Sequence, residues 1–272
     1  MLLAIDAGNT NIVFAIHDGD KLRHKWRISS SASRTADEYM VWLTQLMKLE
    51  DISPTTITGA IIATVVPQTL FPLQLLCRRY FKCTALVIGE PDVVLGLEVK
   101  LDDPGAVGAD RLVNAVAAQK KYGGPMIIID FGTATTFDII DHDGNYCGGV
   151  ISPGVNLSVE ALHMAAAKLP RVAVERPENI IGTDTVSAIQ SGIFWGYVSL
   201  VEGLVGRIRQ EFSRKNDLKN DLQDEPKNRP QHIKVLATGG LAPLFNEEID
   251  DIEVVDQELT TYGLFEIYNQ NQ

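Results

Sequence analysis

Leu2-Leu3-Ala4-Ile5-Asp6-Ala7-Gly8-Asn9-Thr10-Asn11-Ile12-Val13-Phe14-Ala15-Ile16 opens the chain, and Ile127-Ile128-Ile129-Asp130-Phe131-Gly132-Thr133-Ala134-Thr135-Thr136-Phe137-Asp138-Ile139-Ile140 repeats its pattern. Each is an apolar run, then Asp-x-Gly, then small hydroxyl or amide residues, then a second apolar run. The exits match too: His17-Asp18-Gly19-Asp20 follows the first and His142-Asp143-Gly144-Asn145 the second, and Asp-Gly between apolar runs is a strong hairpin signal. The pair reads as a duplicated β-hairpin. A repeat at about half of the 272-residue length predicts two halves of one fold, residues 1–121 and 122–272.

Asp-x-Gly between two strands has a specific chemical sense. Glycine allows a tight turn and leaves no Cβ in a ligand's way, while the Asn and Thr that follow bring hydrogen-bond donors close. Such a loop cradles phosphate. The strand-end carboxylate would repel phosphate directly, so it acts through a cation or through water bound to one. Two such loops facing each other would grip a polyphosphate.

With 45% hydrophobic residues the chain can bury substantial cores, and a formal net charge of −11 argues against a nucleic-acid or anionic-membrane surface. An anionic substrate must then be met by local positive charge. Cys77, Cys83 and Cys147 share no Cys-x-x-Cys spacing, and the five histidines form no His-Glu-x-x-His pattern, so neither a disulfide framework nor a histidine metal site is expected. No apolar run approaches the ~18 residues of a membrane span. A first strand beginning at Leu2 leaves no room for a cleavable signal peptide. The expectation is a soluble, cytoplasmic protein.

After the first hairpin, residues 21–28 read as a third antiparallel strand and 29–33 as a polar loop. A helix over 37–49 follows, with Tyr39, Met40, Leu43, Leu46 and Met47 on its apolar face. Strands at 57–66 and 84–88 flank a helix at 70–80, and another helix covers 108–122. The second half runs hairpin, strand 146–151, helix 155–169, and a long helix from Thr183 or Asp184 to about Phe212. A strand at 233–237 and a terminal helix at 258–268 complete it. The charged stretch 214–232 reads as a solvated loop. Gly192 and Gly196, beside Phe194, Trp195 and Tyr197, permit close backbone approach either inside the fold or between subunits.

Gly108-Ala109-Asp110-Arg111 opens one of these helices. The helix dipole alone accounts for an acid in a first turn. An arginine beside it, after a Gly-Ala pair small enough to admit a ligand, suits a site in which Asp110 accepts a proton and Arg111 pairs with a carboxylate. The Gly-x-x-x-x-Gly-Lys-Ser/Thr, Gly-x-Gly-x-x-Gly and Gly-x-Ser-x-Gly fingerprints are all absent from the sequence. Phosphoryl transfer at a split nucleotide site is the reading that remains.

The two hairpins resemble the phosphate-1 and phosphate-2 loops of the acetate and sugar kinase, Hsc70 and actin superfamily, and Ala237-Thr238-Gly239-Gly240-Leu241-Ala242 resembles its adenosine loop. More narrowly, Asp-x-Gly-Asn-Thr-Asn from Asp6, Gly108-Ala109-Asp110-Arg111, Asp130-Phe131-Gly132-Thr133-Ala134-Thr135-Thr136 and Gly182-Thr183-Asp184-Thr185 resemble the type III pantothenate kinases, from Met1 to about Leu241. The resemblance implies an α/β fold: two duplicated halves with mixed sheets of ribonuclease H-like, actin-like topology, and a nucleotide cleft between them. It implies ATP phosphates on Asp6, Ala7, Gly8, Asn9, Thr10, Asn11, Ile12, Val13 and Thr133, with adenosine over Gly239 and Gly240. Asp6 organises Mg²⁺, and Asp130 holds a monovalent cation, K⁺ or NH₄⁺. Asp110 is the catalytic base, while Gly108, Ala109, Asp110, Arg111 and Thr185 bind pantothenate. A homodimer is implied as well. The family commonly has a tyrosine shortly before Gly-Ala-Asp-Arg; this chain has Leu101, which donates no side-chain hydrogen bond.

The expected reaction is ATP-dependent phosphorylation of pantothenate to 4'-phosphopantothenate, the first step of coenzyme A biosynthesis. One alternative keeps the fold and changes the acceptor to another small alcohol or acid. Another is a non-catalytic regulator on the same scaffold, which predicts loss of the carboxylates that Asp6, Asp110 and Asp130 retain.

Overall fold

Strand β1 (Leu2–Ala7) is buried on both faces, and a first unit is laid out around it. The computed structural model describes residues 1–165, 169–223 and 232–272. β2 (Asn11–Asp18) returns antiparallel to β1, and β3 (Lys21–Ser29) pairs antiparallel to β2. Helix α1 (Ala36–Leu49) starts at Thr35, whose hydroxyl accepts the Glu38 N–H while the Glu38 carboxylate accepts the Thr35 N–H, a reciprocal cap. β4 (Gly59–Thr64) then runs parallel to β1, followed by α2 (Pro67–Leu76), β5 (Ala85–Val87) and α3 (Ala109–Tyr122). The sheet order is β3-β2-β1-β4-β5.

Alternation along β1 sorts its side chains. Leu3, Ile5 and Ala7 share a core with Tyr39, Leu43 and Met47 of α1 and with Leu73 and Leu76 of α2. Leu2 and Ala4 share the other core with Val113 and Val116 of α3. The period of two therefore puts Asp6 on the face that α3 covers.

The second unit repeats this plan. β6 (Met126–Phe131), β7 (Ala134–Ile140) and β8 (Tyr146–Pro153) form the antiparallel meander. α4 (Val155–Ala165) and α5 (Thr185–Gln223) follow, then β9 (Lys234–Gly239) parallel to β6, α6 (Ala242–Asn246) and β10 (Val254–Val255). The order β10-β9-β6-β7-β8 matches the first sheet strand for strand. Ile127, Ile129 and Phe131 pack with Phe194, Val201 and Val205 of α5, so Met126, Ile128 and Asp130 take the opposite face.

The two units comprise residues 1–123 with 258–272, and residues 124–257. The last helix, α7 (Leu259–Gln270), which the sequence groups with the second half, thus belongs to the first. It lies on α3 and the first sheet: Phe265 stacks on His17 of β2 with ring centroids 4.9 Å apart, and Thr260 Oγ1 donates to Asn114 Oδ1 at 2.8 Å. Periodicity announces such a helix but cannot say which face receives it.

α5 also departs from expectation, continuing through residues read as loop to Gln223. Mixed charges solvate a helix as readily as a loop. The remainder of that expected loop, 224–231, and residues 166–168 lie outside the described residues. Segment Thr185–Arg214 of α5 is long and apolar enough to cross a membrane by length and composition, yet Phe194, Tyr197, Val198, Val201 and Val205 are buried in the core of its own unit. Gly192 and Gly196 face open space, so neither mediates a close approach within the unit.

Where α7 crosses α3, a Cβ on Gly263 would stand 2.4 Å from the Val113 carbonyl oxygen. Gly263→Ala should therefore lower stability by about 2 kcal/mol through overpacking, read as a lower urea midpoint. An unchanged midpoint would mean that α7 is not seated on α3 in this way.

Candidate active site

In the first unit the β1–β2 turn is closed by the Gly8 N–H donating to the Asn11 carbonyl at 3.0 Å. The Ala7 carbonyl accepts the Val65 N–H at 3.1 Å, which ties the end of β1 to the segment leaving β4. Val65 in turn meets the start of α3: a Cβ on Gly108 would lie 3.4 Å from Val65 Cγ1 and 2.7 Å from Asp110 Oδ1. The turn from Asp6 to Val13 and the Gly108-Ala109-Asp110-Arg111 turn are thereby brought to one end of one sheet. Asp6 shares the face that α3 covers.

Gly108 leaves the space in which the Asp110 carboxylate folds back over the helix start, its Oδ1 accepting the Arg111 N–H at 2.8 Å. Burial pushes the Asp110 carboxyl above its ordinary value, and the Arg111 amide and guanidinium oppose that rise. A desolvated carboxylate of raised basicity beside an arginine is a pairing suited to accepting a hydroxyl proton from a substrate that carries its own negative charge.

In the second unit, Gly132 N–H donates to the Ala134 carbonyl at 3.0 Å and Gly154 N–H to the Thr133 carbonyl at 3.1 Å, fixing the β6–β7 turn. A Cβ on Gly154 would stand 2.1 Å from that Thr133 oxygen. Parallel pairing sets Asp130 opposite Thr238 and Phe131 opposite Gly239. Gly239 takes φ +90°, and a Cβ there would stand 2.6 Å from Asp130 Oδ1. Asp130, Thr133, Gly239 and Gly240 are thus gathered at the carboxyl ends of adjacent parallel strands, where open α/β sheets bind ligands.

Thr185 is the exposed first residue of α5. Its neighbour Asp184 is the cap, accepting the Val186 N–H at 2.8 Å and the Ser187 N–H at 3.1 Å. Two further residues shape these turns, Val65, which joins the β1 end to α3, and Gly154, which lies against the β6–β7 turn. Val65 carries no motif; the tightness around Gly154 is visible only in three dimensions.

Among the described residues, no group of three or more His, Cys, Asp or Glu is arranged to hold a metal ion. Asp6 and Asp130 each offer hard carboxylate oxygen, the donor that Mg²⁺ and alkali cations take, and a Cβ on Gly239 would occupy the space beside Asp130 Oδ1. Both therefore fit a cation whose other ligands come from phosphate and water.

The model of the type III pantothenate kinases matches residues 2–207. The chain belongs to the type III pantothenate kinase family. The type III pantothenate kinase of Paramagnetospirillum magneticum is 60% identical over 271 residues, spanning 100% of this chain and 98% of the relative. That of Rhodospirillum rubrum is 56% identical over 272 residues, spanning 100% and 99%. Among solved structures, the inorganic polyphosphate/ATP-glucomannokinase of an Arthrobacter species aligns with a TM-score of 0.50 at 17% identity over 99% and 98% of the two chains, a likeness of fold alone. Within this pantothenate kinase family chain, both hairpins, Gly108–Arg111 and Thr185 fall inside the matched span, while Gly239 and Gly240 fall beyond it.

Because the Arg111 charge holds the Asp110 carboxyl down, Arg111→Met should raise it further above the ordinary 3.8. A general base works only in its deprotonated form, so for Asp110 in that role activity is lost as pH falls through the raised value. The acid limb of kcat/KM should then move to higher pH in the variant. A limb that stays in place or moves to lower pH would show that Arg111 does not set the charge state of Asp110.

Proposed function

We infer that this member of the type III pantothenate kinase family transfers the γ-phosphoryl group of ATP to the hydroxyl of pantothenate, giving 4'-phosphopantothenate in the first step of coenzyme A biosynthesis. The observation that carries this reading is the Asp110-Arg111 pair, its carboxylate seated over Gly108 at the same sheet end as the first phosphate-cradling turn. Asp110 takes the hydroxyl proton as the oxygen attacks phosphorus, and Arg111 orients the pantothenate carboxylate by bidentate pairing. Gly108 and Ala109 leave room for the substrate, and Thr185 adds a hydroxyl contact. The turn from Asp6 to Val13 and Thr133 hold the phosphates, with adenosine over Gly239 and Gly240. Asp6 would hold Mg²⁺ and Asp130 K⁺ or NH₄⁺, cations that offset the triphosphate charge. Leu101 leaves Arg111 and Thr185 the main polar contacts to pantothenate.

The protein acts in the cytoplasm as a homodimer. Two features support self-association: Ile151, Met164, Ile180 and Ile181 are exposed on the second unit, and Gly192 and Gly196 of α5 present an uncovered surface. Retention of Asp6, Asp110 and Asp130 speaks against a non-catalytic regulator.

A coupled ADP-release assay across pantothenate, sugars, glycerol and acetate tests the acceptor, and pantothenate should be preferred. Asp110→Asn is nearly isosteric and should keep the fold while lowering kcat by about 10²-fold or more. Wild-type turnover in that variant would remove Asp110 from the mechanism.

The cation provides a separate test. At constant ionic strength, made up with a bulky organic cation, turnover should require K⁺ or NH₄⁺, and Na⁺ should substitute poorly. Asp130→Ala should abolish the K⁺ response in a protein that remains folded. Equal rates in all three salts would refute the cation role of Asp130.

A further inference from the structure

The chain leaving β3 reaches over the β1–β2 turn and fastens it at two points. Ser30 Oγ donates to the Gly8 carbonyl, and Ser30 N–H donates to the Thr10 carbonyl at 2.9 Å. The segment that presents Ser30 is itself braced. Arg34 Nη1 donates to the Ser29 carbonyl at 2.8 Å and the Arg34 N–H to the Ser31 carbonyl at 3.2 Å. The Arg34 guanidinium carbon lies 5.5 Å from the ring centre of Tyr39, a core residue of α1.

The peptide bonds here are trans, and a trans peptide directs its N–H opposite to its C=O. Fastening the Gly8 and Thr10 carbonyls to Ser30 therefore aims the next two amides, those of Asn9 and Asn11, away from Ser30. The Gly8 amide is already used inside the turn, on the Asn11 carbonyl. Backbone N–H groups aimed to one side make an anion-binding concavity. We propose that Ser30 is a positioning residue for the nucleotide: it holds the β1–β2 turn so that the Asn9 and Asn11 amides point at the phosphates. This rests on the reading above that the turn binds nucleotide phosphate. Glycine is the residue most able to let its peptide plane rotate, so without the Ser30 hydroxyl the Gly8 carbonyl is free to turn and carry the Asn9 amide with it.

The test is calorimetric titration of full-length wild-type, Ser30→Ala and Ser30→Thr proteins with the Mg²⁺ complex of a non-hydrolysable ATP analogue. Pantothenate KM and thermal midpoint are measured beside it. Ser30→Ala should weaken nucleotide binding about fivefold, the loss of one neutral hydrogen bond, with pantothenate KM and midpoint unchanged. Ser30→Thr, which keeps the hydroxyl, should bind as wild type. Equal affinity in wild type and Ser30→Ala overturns the proposal and leaves the kinase reading intact. A lowered midpoint in Ser30→Ala, with no recovery of binding in Ser30→Thr, would mark a merely structural residue and also overturns it. A wild-type protein that fails to bind the nucleotide overturns both. Weakened nucleotide binding in Ser30→Ala, in a protein that turns over no pantothenate, upholds Ser30 and refutes the acceptor.

Discussion

Two carboxylates of this chain stand in space that one methyl group would fill. Asp110 Oδ1 comes within 2.7 Å of where a Gly108 Cβ would be, and Asp130 Oδ1 within 2.6 Å of a Gly239 Cβ. Each acid is drawn in beside backbone without being sealed into a core, and Asp110 is desolvated there. The cost falls on the glycines, which sacrifice packing and backbone order, and Gly239 adds a positive φ that side chains avoid. Every other part of the arrangement has to respect these contacts. β9 must pair with β6 in a register that sets Gly239 opposite Phe131, and α3 must begin where Val65 leaves β4.

The duplication shows one solution reached twice with different supports. In β1 and β6 the acid is the last side chain of the face opposite the one that Leu3 and Ile5, or Ile127 and Ile129, give to the neighbouring helices. A one-residue slip of either strand would send the acid into that apolar core and the aliphatic residues out, so register is strongly fixed. The turns beyond are held differently. Ser30 reaches over the first from a following loop, whereas Gly154, at the end of the paired strand, lies against the second.

Where the signal is local, the sequence is legible. Short apolar runs on either side of Asp-x-Gly, followed by Asp-Gly exits, define both hairpins locally. The spacing of Tyr39, Leu43 and Met47 likewise marks α1. The family motifs then named most of the candidate site. What stayed hidden depends on contacts between distant segments: Val65 beside Gly108, Ser30 on Gly8 and α7 on α3 leave no pattern in the residues that make them. The length of α5 was missed for a different reason, since alternating charge suits either a helix or a loop.

The placement of α7 bears on how the chain acquires its structure during synthesis. Everything else in the first unit is made before residue 124, but Leu264, Phe265 and Ile267, which share a core with Leu2, Ala4, Val113 and Val116, are translated only after the whole of residues 124–257. Until they leave the ribosome, one face of the first sheet and the inner side of α3 lack part of their cover, while residues 124–257 form a continuous segment able to condense first. The usual order of vectorial folding, amino-terminal portion first, is therefore inverted for part of this molecule. A ribosome stalled shortly before Glu258 would carry a second unit ready to fold and a first unit with an apolar surface exposed to chaperones.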